Sequence, residues 1–399
     1  MLLFTSWKHS FAGLEQFLGI VGIEEAILMK KTNRIIVGFA ATLLIYVTAC
    51  SSEEGVNRVV IKEPGETITV IDDTGKEAGE PTVSVDKMER YEKMEITDWL
   101  NEETVIVSKE NTSLDKMKLE ELSDSYPRSL YTYNLTSKQY ELLKEQANVF
   151  LGGASLSADK NHLLYSEFSL GDPVYHVMDL NTLDSFGIMG DPIGGAMSAH
   201  WSDEATIIGA AYSGGAYTAS STGSIAPLVG LTEEPLVIAQ KMKDKVYYTT
   251  NSNESLMVLD LGTKVKASMN LDHVYGVFPS PDGNQMLVLQ ANGSKNVLIL
   301  CDADGGNQKT IAEGTELNGI SWSPDQRMIA YSEKADVNGV TVKGLYIHDL
   351  LTDKSTQLAV DIENASTSWS PSSKALVYAE WNGSQYNSTI VHLTYSLQK

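Results

Sequence analysis

The chain has only two cysteines in 399 residues, Cys50 and Cys301. At most one disulfide is available, and Cys50 has a different use argued below, so the mature fold is read as disulfide-free. Cys301 ends the apolar run Asn296-Val297-Leu298-Ile299-Leu300-Cys301, where a small buried thiol is expected rather than a reactive nucleophile. Basic charge is also scarce: 30 Lys and Arg face 52 Asp and Glu, a formal net charge of −22. Such a surface repels phosphate backbones, and with no basic stripe anywhere nucleic-acid binding is disfavoured. The acid excess by itself is a solubility trait. Long apolar runs are missing except near the N-terminus, so the remainder should be soluble.

That one run has a purpose. From Met29 the order is Lys30, Lys31 and Arg34, then an uncharged apolar stretch over residues 35–47, then Thr48-Ala49 before Cys50. Basic, apolar, small is the order of a secretory signal. The apolar stretch is shorter than the ~20 residues of a spanning helix, and Ser51-Ser52-Glu53-Glu54 follows it instead of positive stop-transfer residues. Residues 1–28 precede the basic region and hold Glu15, Glu24 and Glu25, so they are read as an upstream extension from a start site placed too early.

Val47-Thr48-Ala49-Cys50 resembles the lipobox of bacterial lipoproteins, with Val where Leu is commoner at the first position. The resemblance implies cleavage between Ala49 and Cys50 and a diacylglyceryl group on the Cys50 sulfur. It also implies a protein held to the cell membrane on its extracytoplasmic side. Residues 29–49 are then the signal peptide and residues 50–90 a lipidated N-terminus with a polar tether. Over residues 51–90 there are ten acidic and five basic residues, interrupted by two β-prone pieces, 67–71 and 82–85.

Residues 91–399 contain a repeat: a short strand rich in Trp or Ser, a tight turn, two apolar strands, a second turn and an outer strand. Its clear copies are Ser321-Trp322-Ser323-Pro324-Asp325, Ser368-Trp369-Ser370-Pro371-Ser372 and Pro279-Ser280-Pro281-Asp282-Gly283, each leading into an apolar run. Weaker copies begin near Trp99, Ser155, Trp201 and Met242. Pro sets φ and Asp caps its own backbone in these turns, and the runs have the β-branched and aromatic content of buried strands. One blade cannot bury both of its faces, whereas blades set radially bury one another. The expectation is an all-β propeller of seven four-stranded blades, with six as the runner-up because the first and fourth copies are degenerate. The last copy lacks an outer strand, which residues 82–85 could supply to close the ring.

Trp-Ser-Pro-Asp followed by Leu345-Tyr346-Ile347-His348-Asp349-Leu350 resembles the WD40-like repeats of TolB-type propellers over about residues 94–395. That resemblance implies an extracytoplasmic protein-binding platform whose partner is another envelope protein or a peptide. The competing expectation is a metal-dependent propeller hydrolase, lyase or lactonase acting on a sugar or lactone. Prolyl oligopeptidases join a related propeller to a hydrolase domain, but the chain has no Gly-x-Ser-x-Gly and no room for that domain. No His pair has zinc spacing. The segment 302–313 matches a calcium loop at Asp302, Asp304 and Glu313 but puts Gly306 and Asn307 at its fifth and sixth positions, so a hairpin turn fits better. No catalytic residue, metal ligand or cofactor is assigned.

Recurrent residues read as structural: Trp99, Trp201, Trp322 and Trp369 between blades, and Asp179, Asp260 and Asp349 at strand ends. Two segments depart from the repeat. Residues 111–128 form a charged insertion with helical spacing at Leu114, Met117, Leu119 and Leu122. Residues 209–223 are rich in Gly, Ser and Tyr, as adaptable recognition loops are. Tyr212 and Tyr217 from that loop, with Trp381 beside Asn382-Gly383, are the candidate binding surface.

Overall fold

The computed structural model describes residues 58–63, 66–71, 82–203, 205–232, 234–337 and 339–396. The signal peptide, Ala49, Cys50 and the segment 1–28 lie outside the described residues. Strands Arg58–Glu63 and Glu66–Ile71 form a two-stranded antiparallel hairpin, the second of them over the first β-prone piece of the tether.

The rest is a seven-bladed propeller. Blade 1 is Glu95–Trp99, Thr104–Glu110, Arg128–Asn134 and Tyr140–Lys144, and blade 2 is Phe150–Leu156, His162–Phe168, Val174–Asp179 and Ser185–Gly187. Blade 3 is His200–Trp201, Thr206–Ala210, Ala216–Ser220 and Ile225–Pro227. Leu236–Met242, Lys245–Thr250, Asn253–Asp260 and Lys266–Ser268 make blade 4, and Val274–Pro279, Gln285–Asn292, Lys295–Asp302 and Lys309–Gly314 make blade 5. Glu316–Trp322, Met328–Val337, Val340–Asp349 and Lys354–Val360 make blade 6. A single parallel bridge, Arg128 to Phe150, joins blades 1 and 2 into one hydrogen-bonded sheet.

Blade 7 closes the ring. Ala365–Trp369, Ala375–Trp381 and Tyr386–Ser396 are completed by Thr82–Glu92, which pairs antiparallel with the last of them from Thr82 opposite Ser396 to Glu92 opposite Asn387. The propeller therefore begins at Thr82, inside the stretch read as tether and ahead of the boundary placed at 91. The physical reason is the missing outer strand: without it, the edge of Tyr386–Ser396 would leave a row of backbone groups unpaired.

Burial decides the blade count. Among the described residues there are seven separate apolar clusters, and each is shared by two neighbouring blades, including one between blades 7 and 1 built on Ile96, Trp99, Val377 and Ile390. Seven interfaces for seven blades is what a closed ring requires. The first strands of blades 1 and 2, 4 and 5, 6 and 7, and 7 and 1 pack against one another around the axis, so the first strands are the inner ones. Tryptophan bridges them. The indole N–H of Trp99 donates to the Ser368 carbonyl oxygen at 3.2 Å, Trp201 to Ser155 at 3.0 Å and Trp322 to Phe278 at 3.0 Å, each reaching the preceding blade. Trp369 is buried in the cluster between blades 6 and 7.

Antiparallel blades place the first-to-second and third-to-fourth connections at one end of the ring, the turn face. The other connections lie at the opposite end, the loop face. At the turn face the same hydrogen-bonded box recurs. Ser157, Ser280 and Ser323 each donate a hydroxyl to the Asp two residues on (2.6, 2.7 and 2.6 Å) and accept the backbone N–H five residues on (3.0, 3.0 and 2.8 Å). The fourth residue of each box, Lys160, Gly283 or Gln326, takes positive φ. Third-to-fourth turns are capped likewise: Asp179, Asp260 and Asp349 accept backbone N–H groups two residues on, at 2.7, 3.0 and 2.9 Å. Boxes also clasp their neighbours, as Asp325 N–H does to Ser373 Oγ at 3.0 Å and Ser372 N–H to Glu102 Oε1 at 2.7 Å.

Candidate binding face

The loop face is built differently, because its connections are long where the repeat is weak. The insertion 111–127 joins the second and third strands of blade 1, as its place in the repeat predicts, but the expected helix is only the 3-10 turn Glu120–Leu122. Asn111 captures the N–H and hydroxyl of Ser113 at 3.1 and 2.5 Å, and Met117 N–H donates to the Ser125 carbonyl at 3.0 Å. These local bonds fold the segment back on itself before an i to i+4 ladder can start. Met117 is the one buried apolar residue of the four, and Leu119 is exposed.

Three other segments meet above blade 3. The connection 188–199 from blade 2 receives the Tyr212 N–H on the Gly195 carbonyl at 3.0 Å and the Ser213 N–H on Ile193 at 3.1 Å. The connection 228–235 to blade 4 accepts Gly215 N–H at Glu234 (2.7 Å) and Ala216 N–H at Leu231 (2.7 Å). Gly215 sits at φ +80°, and a Cβ there would stand 2.2 Å from the Leu231 carbonyl oxygen, so only glycine lets the two strips of backbone meet. The three strips are thus one hydrogen-bonded cap.

This geometry corrects the reading of residues 209–223 as an adaptable loop. Seven of the fifteen belong to the strands Thr206–Ala210 and Ala216–Ser220, 211–215 form the turn between those strands, and 221–223 lead to the outer strand. Tyr217 is fully buried, with its hydroxyl donating to the Ser198 carbonyl at 2.8 Å. It is a core residue and unavailable to a partner, because the strand turns its ring into the cluster between blades 2 and 3. Tyr212 is on the turn itself and 44% exposed. Burial of its hydroxyl and the neighbouring Asp172 carboxylate push its pKa up to about 12. Trp381 is also exposed, its ring 5.0 Å from that of Tyr386. It occupies the loop face on blade 7, on the far side of the ring from Tyr212, so the two do not form one site.

On the loop face of blades 2 and 3 the sequence reading missed five exposed apolar residues: Phe168 and Leu170 on blade 2, Met189 and Met197 on the connection 188–199, and Val229 on the connection 228–235. A signal for them was present in the chain. From Asn161 to Gln240 there is no Lys or Arg, so the usual long cationic cover of apolar surface is absent there.

The remaining polar clusters have structural partners. At the loop-face end of blade 1, Arg128 is bonded to Glu95 (3.1 Å), to the Ser108 hydroxyl (3.0 Å) and carbonyl (2.7 Å), and lies 4.6 Å over the Tyr386 ring. Burial raises the Glu95 pKa against the pull of Arg128. His200 is on the inner strand of blade 3, open to solvent yet enclosed by protein atoms that lower its pKa. The other histidines pair singly, as His176 with Glu167 at 3.4 Å and His392 with Glu89 at 2.9 Å. Among the described residues no three His, Cys, Asp or Glu side chains are gathered as a metal site needs. Segment 302–313 is the end of Lys295–Asp302, a turn over 303–308 and most of Lys309–Gly314 in blade 5, and in the turn Asp304 accepts the Gly306 N–H at 2.9 Å. Cys301 is fully buried, and burial pushes its thiol up to about 12, which keeps it protonated and inert.

No family model matches the chain, and no curated protein does. Solved structures match its fold. An oligogalacturonate lyase from Vibrio parahaemolyticus superposes with TM-score 0.58 at 12% identity, over 84% of this chain and 96% of that one. An oligogalacturonate lyase in complex with manganese gives 0.52 at 11%, over 79% and 99%. The β-propeller domain of Cps50 (Swd1) from Myceliophteria thermophila gives 0.51 at 13%, over 78% and 100%. These likenesses show a β-propeller, which the seven blades already display, and at such identity they show the fold alone.

Proposed function

We propose that this protein is an extracytoplasmic lipoprotein, tethered to the cell membrane through a lipid on Cys50, whose propeller is a protein- or peptide-binding platform. The observation that carries this reading is the contrast between the two ends of the ring. The turn face is closed by repeated, self-satisfied turns, whereas the loop face collects the irregular connections and most of the exposed apolar side chains. Apolar groups grouped on one end of a scaffold are what a partner's surface covers. Thr82 enters blade 7 at its turn-face end, so the chain from Cys50 joins the ring at the end opposite the loop face. Two or more acyl chains at ~0.8 kcal/mol per buried CH₂ hold such a protein stably, where one is marginal.

Two measurements test it. A Cys50→Ser chain without residues 1–49 is expected in the soluble fraction. Retention of that chain in membranes through salt and carbonate washing counts against the lipid anchor. Cross-linking of the lipidated protein in its own envelope, followed by mass spectrometry, is expected to yield a stoichiometric partner held through loop-face residues. Cross-links confined to the turn face would remove the reading's basis.

A second reading, a metal-dependent enzyme acting on a sugar or lactone, draws on the two lyase folds. The donor set does not fit it, since among the described residues no three His, Cys, Asp or Glu side chains are gathered as a metal site needs. Metal retained at one equivalent after purification would favour this reading over the platform.

A further inference from the structure

Blades 2 and 3 differ from the other blades in charge as well as in shape. Across residues 161–240 there are nine acidic residues and no Lys or Arg, whereas the equally long stretch 281–360 contains six Lys and Arg. On the loop face of this cation-free sector stand the exposed side chains of Phe168, Leu170, Met189, Met197, Tyr212 and Val229. Asp172 and Asp191 are exposed on the same connections, whereas Glu234 is paired with Lys266 of blade 4 at 3.6 Å. The cap beneath is pinned by backbone hydrogen bonds at 2.7–3.1 Å between its three segments. It is a built surface, so a partner loses little entropy in ordering it.

We infer that this patch docks a basic, amphipathic segment of a partner protein, apolar on one face and Lys/Arg-rich on the other. The inference rests on the platform reading and names its partner's chemistry. Charge complementarity selects the occupant. A second copy of this chain, at −22, is repelled, and so is an anionic lipid surface. A neutral apolar ligand would leave the acidic rim without a counterpart. A cationic amphipathic segment covers the apolar side chains and brings its charges to Asp172 and Asp191. The Tyr212 hydroxyl faces Asp172.

The test uses the full-length protein in non-ionic detergent and a fluorescent Leu/Lys amphipathic peptide of about fourteen residues, roughly four helical turns, with its Leu/Glu counterpart as control. The Leu/Lys peptide is expected to bind saturably at one site, more weakly as salt rises, and the Leu/Glu peptide not at all. Asp172→Lys with Asp191→Lys, and separately Leu170→Ser with Met189→Ser, should each weaken binding by about tenfold. The turn-face pair Asp184→Lys with Asp244→Lys should leave it unchanged. Equal weakening by the turn-face pair, or no saturable binding, overturns the inference. A photo-cross-linker at position 212 or 381 in the native envelope separates its failure from that of the platform reading. A partner captured at 381 alone leaves a platform but removes this patch, and no partner at either position removes both.

Discussion

Blades 5 and 6 and blades 2 and 3 come from the same repeat but spend their residues differently. In blades 5 and 6 the sequence motif is intact, the second and third strands run eight to ten residues, and Arg327 holds Asp349 through bonds of 3.0 and 2.7 Å beneath the surface. In blade 3 the inner strand is only His200–Trp201 and the outer strand Ile225–Pro227. Its place in the core is filled by Ile193 and Ala196 from the connecting segment. Where the repeat is strong, the ring is held by strand pairing and capped turns. Where it is weak, connections do the packing, and their outer sides are free to carry exposed apolar and acidic groups.

The largest test of this contrast is the ring closure. Removing Thr82–Glu92 should expose the edge of Tyr386–Ser396 and the blade 7 to blade 1 cluster, costing on the order of the whole folding stability, about 5 kcal/mol or more. Urea unfolding followed by fluorescence should then lose its single transition. Arg327→Met comes next: Asp349 is 4% exposed, and stranding a buried carboxylate costs about 3–5 kcal/mol. The matching change in the weak sector, Lys241→Met, removes a 3.3 Å pair to an exposed Asp203 and should cost less than about 1 kcal/mol. Equal losses would break the contrast.

Ser323→Ala removes a fully buried hydroxyl that serves both Asp325 and the Met328 N–H, for an expected loss of about 1–2 kcal/mol. Tyr212→Ser should change stability by less than about 0.5 kcal/mol while weakening the Leu/Lys peptide, which sets recognition apart from folding.

The smallest effect concerns what the two regions share. Asp159 of blade 2 is held down to about 2 by the Ser157 hydroxyl and the Asn161 backbone N–H, and Asp282 of blade 5 is lowered by the Asn284 N–H and Ser280. Because the folded values lie below the ordinary ~3.9, their stabilising contribution is complete above about pH 4 and is lost as pH falls toward 2. Melting temperature should be flat from about pH 5 to 7 in this respect and decline below pH 4. Carboxyl NMR titrations of Asp159 and Asp282 should both move below the ordinary value. An ordinary titration at either position would show that the turn face also differs between the regions.

Much of this architecture was legible beforehand. The Ser-Pro-Asp turns, the inter-blade tryptophans and the closing strand near residues 82–85 follow from local rules: turn chemistry, β-branched runs, and an edge that must be paired. The misreadings share one cause. Tyr217 and the insertion 111–127 were judged by composition, Gly-rich for one and helically spaced for the other. For Tyr217 the outcome depended on packing between blades 2 and 3, and for the insertion on bonds within it, Asn111 with Ser113 and Met117 with Ser125, that competed with a helix.

By itself the sequence determined the repeat, and with it a ring in which every blade needs two neighbours, as well as a sector without a single Lys or Arg between 161 and 240. Tertiary structure alone decided that the connections 188–199, 211–215 and 228–235 would lock into one cap with Tyr212 outside and Tyr217 inside. The reason is that Tyr217 lies on a strand, whose alternation offers two sides of which only the packing of blade against blade says which is the core, whereas Tyr212 lies on the turn between strands.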